Sequence, residues 1–252
     1  MSSASGPALR TLAFGDLEPS VWGVAWFPEP GQPGFVAIGT ARSSATREAT
    51  LTADDESGEW RLHGDGVELT ASPGDAPLVG AGDDFDQLCR VRGSVDIVDP
   101  VGGSEQREVD CLGRRAVHAA TDRLDRFESI RDVSAWFDDS HGLAVVALRP
   151  RKSRGQESDH VTAAALEPET TPPVTDPRMS TVYAADGHPL RVGLELWLGE
   201  DEDEQFPRRA SGETVGVAAT GHTGLFDVSA QFVHWRGRAG DGGGVYLLAR
   251  RG

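Results

Sequence analysis

The sequence runs to 252 residues with a formal net charge of −16, and it is 38% hydrophobic and 25% charged. A chain of this length buries a substantial core, as one large domain or two small ones, and its hydrophobic fraction lies outside the disordered range. So acidic a chain lacks the clustered positive charge that nucleic acid or an anionic membrane surface requires. No apolar run approaches the ~20 residues that span a bilayer, and the first six residues, Met-Ser-Ser-Ala-Ser-Gly, carry no charged-then-apolar signal. The expectation is therefore a cytoplasmic protein. Lys152 is the only lysine. With abundant Ala, Gly and Asp, this points to a GC-rich genome, and the acidity also fits a salt-adapted host. Cys89 and Cys111 are too few for a disulfide scaffold or a thiolate zinc site, and their apolar surroundings predict buried, inert thiols.

In chain order, short apolar or alternating runs recur between Gly, Pro and Asp breakers. The first are VWGVAWF (21–27), GFVAIGTAR (34–42), EATLTAD (48–54), EWRLHG (59–64) and GVELTAS (66–72). A Pro/Gly/Asp loop over 70–84 precedes QLCRVRGSVDIVD (87–99). Between 119 and 130, Leu124, Phe127 and Ile130 fall three apart and predict a short helix or helical turn. From Arg131 onward, DVSAWF, DDSHG and LAVVALR read as strand, turn and strand. LAVVALR is apolar on both sides, as expected at a junction of two sheets. HVTAAALE (160–167) follows, and then EPETTPPVTDPR (167–178), whose prolines exclude a central strand. In PLRVGLELWLG (189–199), Val192, Leu194, Leu196 and Leu198 share one face, with Glu195 and Trp197 on the other. The acidic GEDEDEQ (199–205) predicts a solvated hairpin tip. TVGVAAT (214–220), AQFVHWRGR (230–238) and GVYLLARR (244–251) complete the series. Many short strands with turn signals predict an all-β sandwich or barrel. The halves carry similar numbers of strands, so two barrel-like units are expected, 1–125 and 126–252.

Several chemistries are missing. GRAGDGGG (237–244) has glycines but no Gly-Lys-Ser/Thr, and reads as a flexible hairpin turn rather than a phosphate loop. No Gly-x-Ser-x-Gly elbow occurs. The seven histidines include no His-x-His or His-x-x-x-His pair, so no metal site is expected. What remains is tryptophan, arginine and carboxylate. Trp22, Trp26, Trp136, Trp197 and Trp235 would pack a core or wall a pocket for an extended apolar ligand. REVDCLGRR (107–115) as a strand puts Glu108, Asp110 and Leu112 on one face and Arg107, Val109 and Cys111 on the other; Gly113 then breaks it. A carboxylate beside arginines either forms a structural ion pair or lies in an apolar cavity. In a cavity its raised pKa would let it protonate an alkene or epoxide. Asp110 is one candidate and Glu195 another.

The stretch DFDQLCRVRGSVDIVDP…REVDCLGRRAVH…RDVSAWF resembles lipocalin-like proteins of the carotenoid hydratase and tocopherol cyclase type, the AttH-like group, over residues 85–150. The matching features are an extended Gly-Ser-Val strand (93–95), an acidic strand (108–110), a Gly-x-Arg turn (113–115) and an Arg-Asp-x-Ser…Trp element (131–136). The resemblance implies two lipocalin-like β-barrels packed together, with an apolar ligand site in or between them. It also implies cofactor-independent hydration, cyclisation or isomerisation of an isoprenoid- or polyketide-like substrate. Within that frame Asp110 and Glu195 are candidate acids, and His118 and His141 are proton partners. Arg115 and Arg131 would orient or charge-tune the site, and the five tryptophans would form its walls. A non-catalytic carrier of the same ligand is the first alternative. A carbohydrate-binding sandwich, which needs exposed indole rings, is the second.

Overall fold

The computed structural model describes residues 8–17, 20–28, 33–54, 56–81, 84–98, 103–119, 123–153, 155, 158–169, 173–199 and 206–252. The recurring apolar runs become strands of two antiparallel sheets. The first holds β1 (Ala8–Gly15), β2 (Trp22–Phe27), β3 (Phe35–Gly39), β4 (Ser44–Arg47), β5 (Ala49–Ala53), β6 (Trp60–Gly64), β7 (Val67–Pro73), β8 (Val79–Ala81), β9 (Asp84–Val98) and β10 (Ser104–Ala119). The second holds β11 (Phe127–Trp136), β12 (Gly142–Pro150), β13 (His160–Leu166), β14 (Val174–Tyr183), β15 (Pro189–Leu198), β16 (Arg208–Thr223), β17 (Phe226–Gly237) and β18 (Gly240–Arg251). Between the sheets the predicted helical element shrinks to one 3-10 turn, Leu124–Arg126. Its three-residue apolar spacing is real, because Leu124, Phe127 and Ile130 are all buried.

The first sheet runs β4-β3-β2-β1-β10-β9-β7-β6-β5, with β8 added on β9. Its outermost strands, β4 and β5, are consecutive and separated only by Glu48, so the two ends of the sheet must lie side by side. The second runs β13-β12-β11-β18-β17-β16-β15-β14 and likewise brings consecutive strands, β13 and β14, to its ends. Each sheet is thus rolled into a nearly closed barrel, the two-barrel lipocalin-like architecture expected from the sequence. No helix among the described residues is long and apolar enough to cross a membrane.

Strand alternation sorts the apolar residues into three clusters. Leu12, Phe14, Trp60, Leu62, Val91 and Cys111 fill the first barrel. Val133, Leu194, Leu196, Val233, Trp235 and Tyr246 fill the second. Leu9, Trp22, Trp26, Trp136, Phe226 and Phe232 pack the two barrels together. β12 serves two of these clusters, with Leu143 and Val145 inside the second barrel and Ala144 and Leu148 in the junction. That is why LAVVALR is apolar on both faces.

Two readings change. Gly113 does not break its strand: β10 continues from Ser104 to Ala119. A side chain at Gly113 would meet the carbonyl of Ala13 on neighbouring β1, so glycine is what lets β1 lie so close. The glycine-rich 237–244 is mostly not turn. Gly237 pairs with Gly240 across a two-residue hairpin, and Gly242, Gly243 and Gly244 lie within buried β18. A side chain at Gly244 would overlap the Ser134 carbonyl and the Trp235 indole, which donates Nε1–H to that carbonyl at 3.0 Å. The proline-bearing 174–183 forms β14, an outermost strand, as proline requires. The predicted acidic hairpin tip lies, from residue 200 to 205, outside the described residues.

Candidate functional site at the mouth of the second barrel

β11 ends at Trp136 and the chain turns through 137–141 into β12. Asp138 builds this turn. Its Oδ1 accepts the backbone N–H groups of Ser140 and His141, both at 2.8 Å, an Asx-type arrangement. The same carboxylate lies 2.9 Å from His141 Nδ1. With Nδ1–H donated to Asp138, Nε2 of the neutral ring carries a lone pair. Burial opposes charge on Asp138, but the two backbone donors and His141 outweigh it and hold the carboxyl below its usual range.

The His–Asp pair lines an open cleft of about 750 Å³ at the barrel mouth. Phe137, Leu143, Pro168, Phe206 and Pro207 supply apolar wall, and Phe206 is 75% exposed. Arg208 is held by Glu167, with Nε–Oε1 at 2.7 Å. Arg238, in the β17–β18 turn, lines the cleft with no carboxylate within 4 Å among the described residues. The arrangement combines apolar wall, one histidine oriented as a proton acceptor, and a guanidinium able to face developing negative charge. Of the site residues expected from the sequence, His141 lines this cleft, and Asp138, Phe206 and Arg238, which line it too, were not singled out.

The other expected site residues lie elsewhere. Asp110 is not a buried acid. It sits on the outer face of β10, with a 56% exposed side chain that accepts from Arg90 Nε at 2.5 Å and Arg92 Nε at 3.2 Å. The Arg90 hydrogen bond holds its carboxyl below the usual range, opposite to the expected direction. Glu195 is on the outer face of β15, accepting from Arg209 Nε at 3.2 Å and Trp197 Nε1 at 3.0 Å, and its pKa is likewise lowered, first by Arg209. Trp197 packs there under Arg178.

Trp22, Trp26 and Trp136 are fully buried in the junction, where Trp26 meets Phe226 and Trp136 meets Phe232 edge-on. Trp235 is inside the second barrel. These four rings are core, not pocket wall, and no exposed row of indoles exists among the described residues for a sugar platform. Arg115 points into the first barrel, where it donates to Gln87 Oε1 at 3.0 Å from Nε and to the Gly58 carbonyl, beneath Trp60 and Phe85. Arg131 enters the second barrel and pairs with Asp159 at 2.6 Å. Both thiols are buried, and burial pushes the Cys89 thiol up to about 12.

His118 belongs to a buried polar cluster between the barrels. Arg114, fully buried, donates Nε–H to Asp86 Oδ1 at 2.6 Å and Nη1–H to Asp132 Oδ1 at 2.6 Å. Thr11 Oγ1 donates to Asp132 Oδ2 at 2.6 Å. Asp132 is on β11 and the others are on β1, β9 and β10, so the cluster ties one barrel to the other. His118 Nε2 lies 3.4 Å from Asp86 Oδ1, and Nδ1 lies 3.2 Å from Asp84 Oδ1, the latter off the hydrogen-bonding direction and therefore an ionic contact. Nε2 is also 3.0 Å from Arg114 Nη2; both donors then share Asp86 rather than bonding each other. Burial alone would lower the His118 pKa, but Asp86 and Asp84 outweigh it and raise it from 6.5 to about 9. A raised histidine pKa stabilises the fold fully below pH 6.5, and that contribution is lost as pH climbs through 9. At most about 3 kcal/mol disappears over this window. Urea unfolding at intervals from pH 6 to 10 should show the decline, and His118→Gln should flatten it; parallel curves for the two proteins would remove His118 as the cause.

A pair of lipocalin-like barrels joined by an apolar and ionic junction is the class these strands define. No known family's sequence model matches the chain, and no curated protein matches its sequence. Solved structures do share the fold. Kievitone hydratase from Nectria haematococca superposes with a TM-score of 0.59 at 10% identity, over 99% of this chain and 89% of that one. A protein provisionally assigned as AttH, from Nitrosomonas europaea, gives 0.53 at 11% identity, over 98% and 93% respectively. At such identities the likeness is one of fold.

Proposed function

We propose that the protein binds an apolar small molecule at the mouth of its second barrel and catalyses proton transfer there, most simply hydration of an activated carbon–carbon double bond. The observation that carries this reading is the Asp138–His141 pair lining an apolar-walled cleft of about 750 Å³. In the reaction, His141 Nε2 takes a proton from water as the water oxygen bonds to one alkene carbon. The π electrons form the new C–H bond at the other carbon, using the proton that His141 returns. Arg238 faces the negative charge that develops if a carbonyl is conjugated to the alkene. No cofactor is required by this sequence of steps. The fold neighbour acts, by name, on kievitone, which supplies a first probe. Incubation of kievitone and, separately, of a panel of carbonyl-conjugated alkenes with the protein in ¹⁸O-water, followed by mass spectrometry, should give in at least one case a product carrying one added labelled water. Bound but unchanged ligand throughout the panel would instead favour a carrier.

A further inference from the structure

The two ends of the second sheet do not pair. β13 is hydrogen-bonded only to β12 and β14 only to β15 among the described residues, which leaves a seam between them. A second cleft, of about 630 Å³, lies along this seam under the β8 segment. Its lining runs through residues 77–80, 161–165, 173–175 and 177, and includes no ionisable side chain. In a chain one quarter charged, an uncharged lining sets this cleft apart from the rest of the exterior. Leu78 and Val161, 44% and 38% exposed, stand at its rim. Ala163 and Val174 at its floor pack on the core of the second barrel.

This cleft adjoins the mouth. Leu143, in the wall of the mouth, is the cross-strand partner of Ala165, in the wall of the seam. Glu167 of the mouth is two residues beyond Ala165, roughly 7 Å along extended chain. One cross-strand pair therefore separates the two spaces. An added peptide strand is the other occupant an open seam could take. It would need about 9.5 Å between the flanking strands, whereas Cα atoms of β13 and β14 approach within 8 Å. The strands are too close there for a strand to insert between them, and the space for a ligand is the adjoining uncharged cleft of about 630 Å³, enough for a hydrocarbon chain.

We infer that the β13–β14 seam is a tail-binding subsite, and that the substrate is an elongated apolar molecule. Its reacting end lies at His141 and its unbranched or prenyl-like tail lies along Val161–Ala165. The inference rests on the mouth being the ligand site, and the test separates the two. The fluorophore N-phenyl-1-naphthylamine is bound to the full-length protein and displaced by straight-chain alcohols of eight to fourteen carbons. Affinity should rise about fourfold per added methylene. The double variant Leu78→Asp/Val161→Asp, altered only at exposed positions, should lose this trend, while Val217→Asp, exposed on β16, should keep it. His141→Gln should keep it too. If the double variant follows the wild type, or if no chain-length trend exists at all, the tail subsite is wrong. Loss of turnover in His141→Gln would then still support the mouth on its own. A retained trend lost in the double variant, with no turnover of any probe, would support the subsite and remove the catalytic reading.

Discussion

Replacing His141 by glutamine is expected to lower turnover about 10²- to 10⁴-fold, the range for loss of a positioned proton-transfer group, with little change in ligand affinity. Glutamine can still donate a hydrogen bond to Asp138 from its amide, so the turn should survive. It has no group that accepts and returns a proton near neutral pH. Asp138→Asn should cost less, because asparagine can keep the Asx turn through its carbonyl while losing only the negative charge beside His141 Nδ1. His141 is 42% exposed at the side chain, and its removal should leave the unfolding midpoint unchanged. Asp110→Asn and Glu195→Gln, on outer faces and already paired with arginine, should turn over like the wild type. Full activity in His141→Gln, or loss in Asp110→Asn, would overturn the assignment.

Arg114→Met should lower the unfolding free energy by about 3–5 kcal/mol, the cost of removing one partner from a buried ion pair. Arg114 is the shared donor to Asp86 on β9 and Asp132 on β11, and without it two desolvated carboxylates face one another. Burial would push the Asp86 pKa up, yet Arg114 and His118 hold it far below the usual carboxylate range, so its charge depends on these neighbours. Arg178→Met, on an exposed face beside Asp176, should cost well under 1 kcal/mol by comparison. Urea denaturation of the three proteins at pH 7 decides the matter. A loss at Arg114 no larger than at Arg178 would mean that the ions do not hold the barrels together.

Periodicity made much of the architecture legible. The inward face of RVGLELWL and the doubly apolar LAVVALR are where alternation places them, and the lipocalin-like layout expected from residues 85–150 extends over the whole chain. β4, β8 and β14 escaped notice, being short, polar or interrupted by proline, and β1 was missed although its ALRTLAFG run is eight residues long and largely apolar. The site was less visible. Alternation in REVDCLGRR correctly separated Asp110 from Val109 and Cys111, but both faces carry charge, and only the closed barrel decides which face is inside. Arg114 and Asp132 lie on separate barrels, so no local spacing joins them. Large aromatic rings signal burial without saying against what, and here the junction claimed three tryptophans. Asp138 did leave a mark, since an aspartate three residues before a histidine in DDSHG is an Asx-turn pattern, but its bond to the ring depends on the tight β11–β12 hairpin.

The pairing of first strand with last in each sheet has a consequence for biosynthesis. β1 pairs Ala8 with Ala119, and β11 pairs Ser129 with Arg250, so each barrel closes only when its first and last strands coexist. On the ribosome the first barrel is complete while its junction residues Leu9, Trp22 and Trp26 still await their cover. At about 5–20 residues per second, making the second half takes on the order of ten seconds. For that interval a nascent chain displays a bare tryptophan-rich patch, which makes it a natural client for a holdase and vulnerable to aggregation where translation stalls before β18.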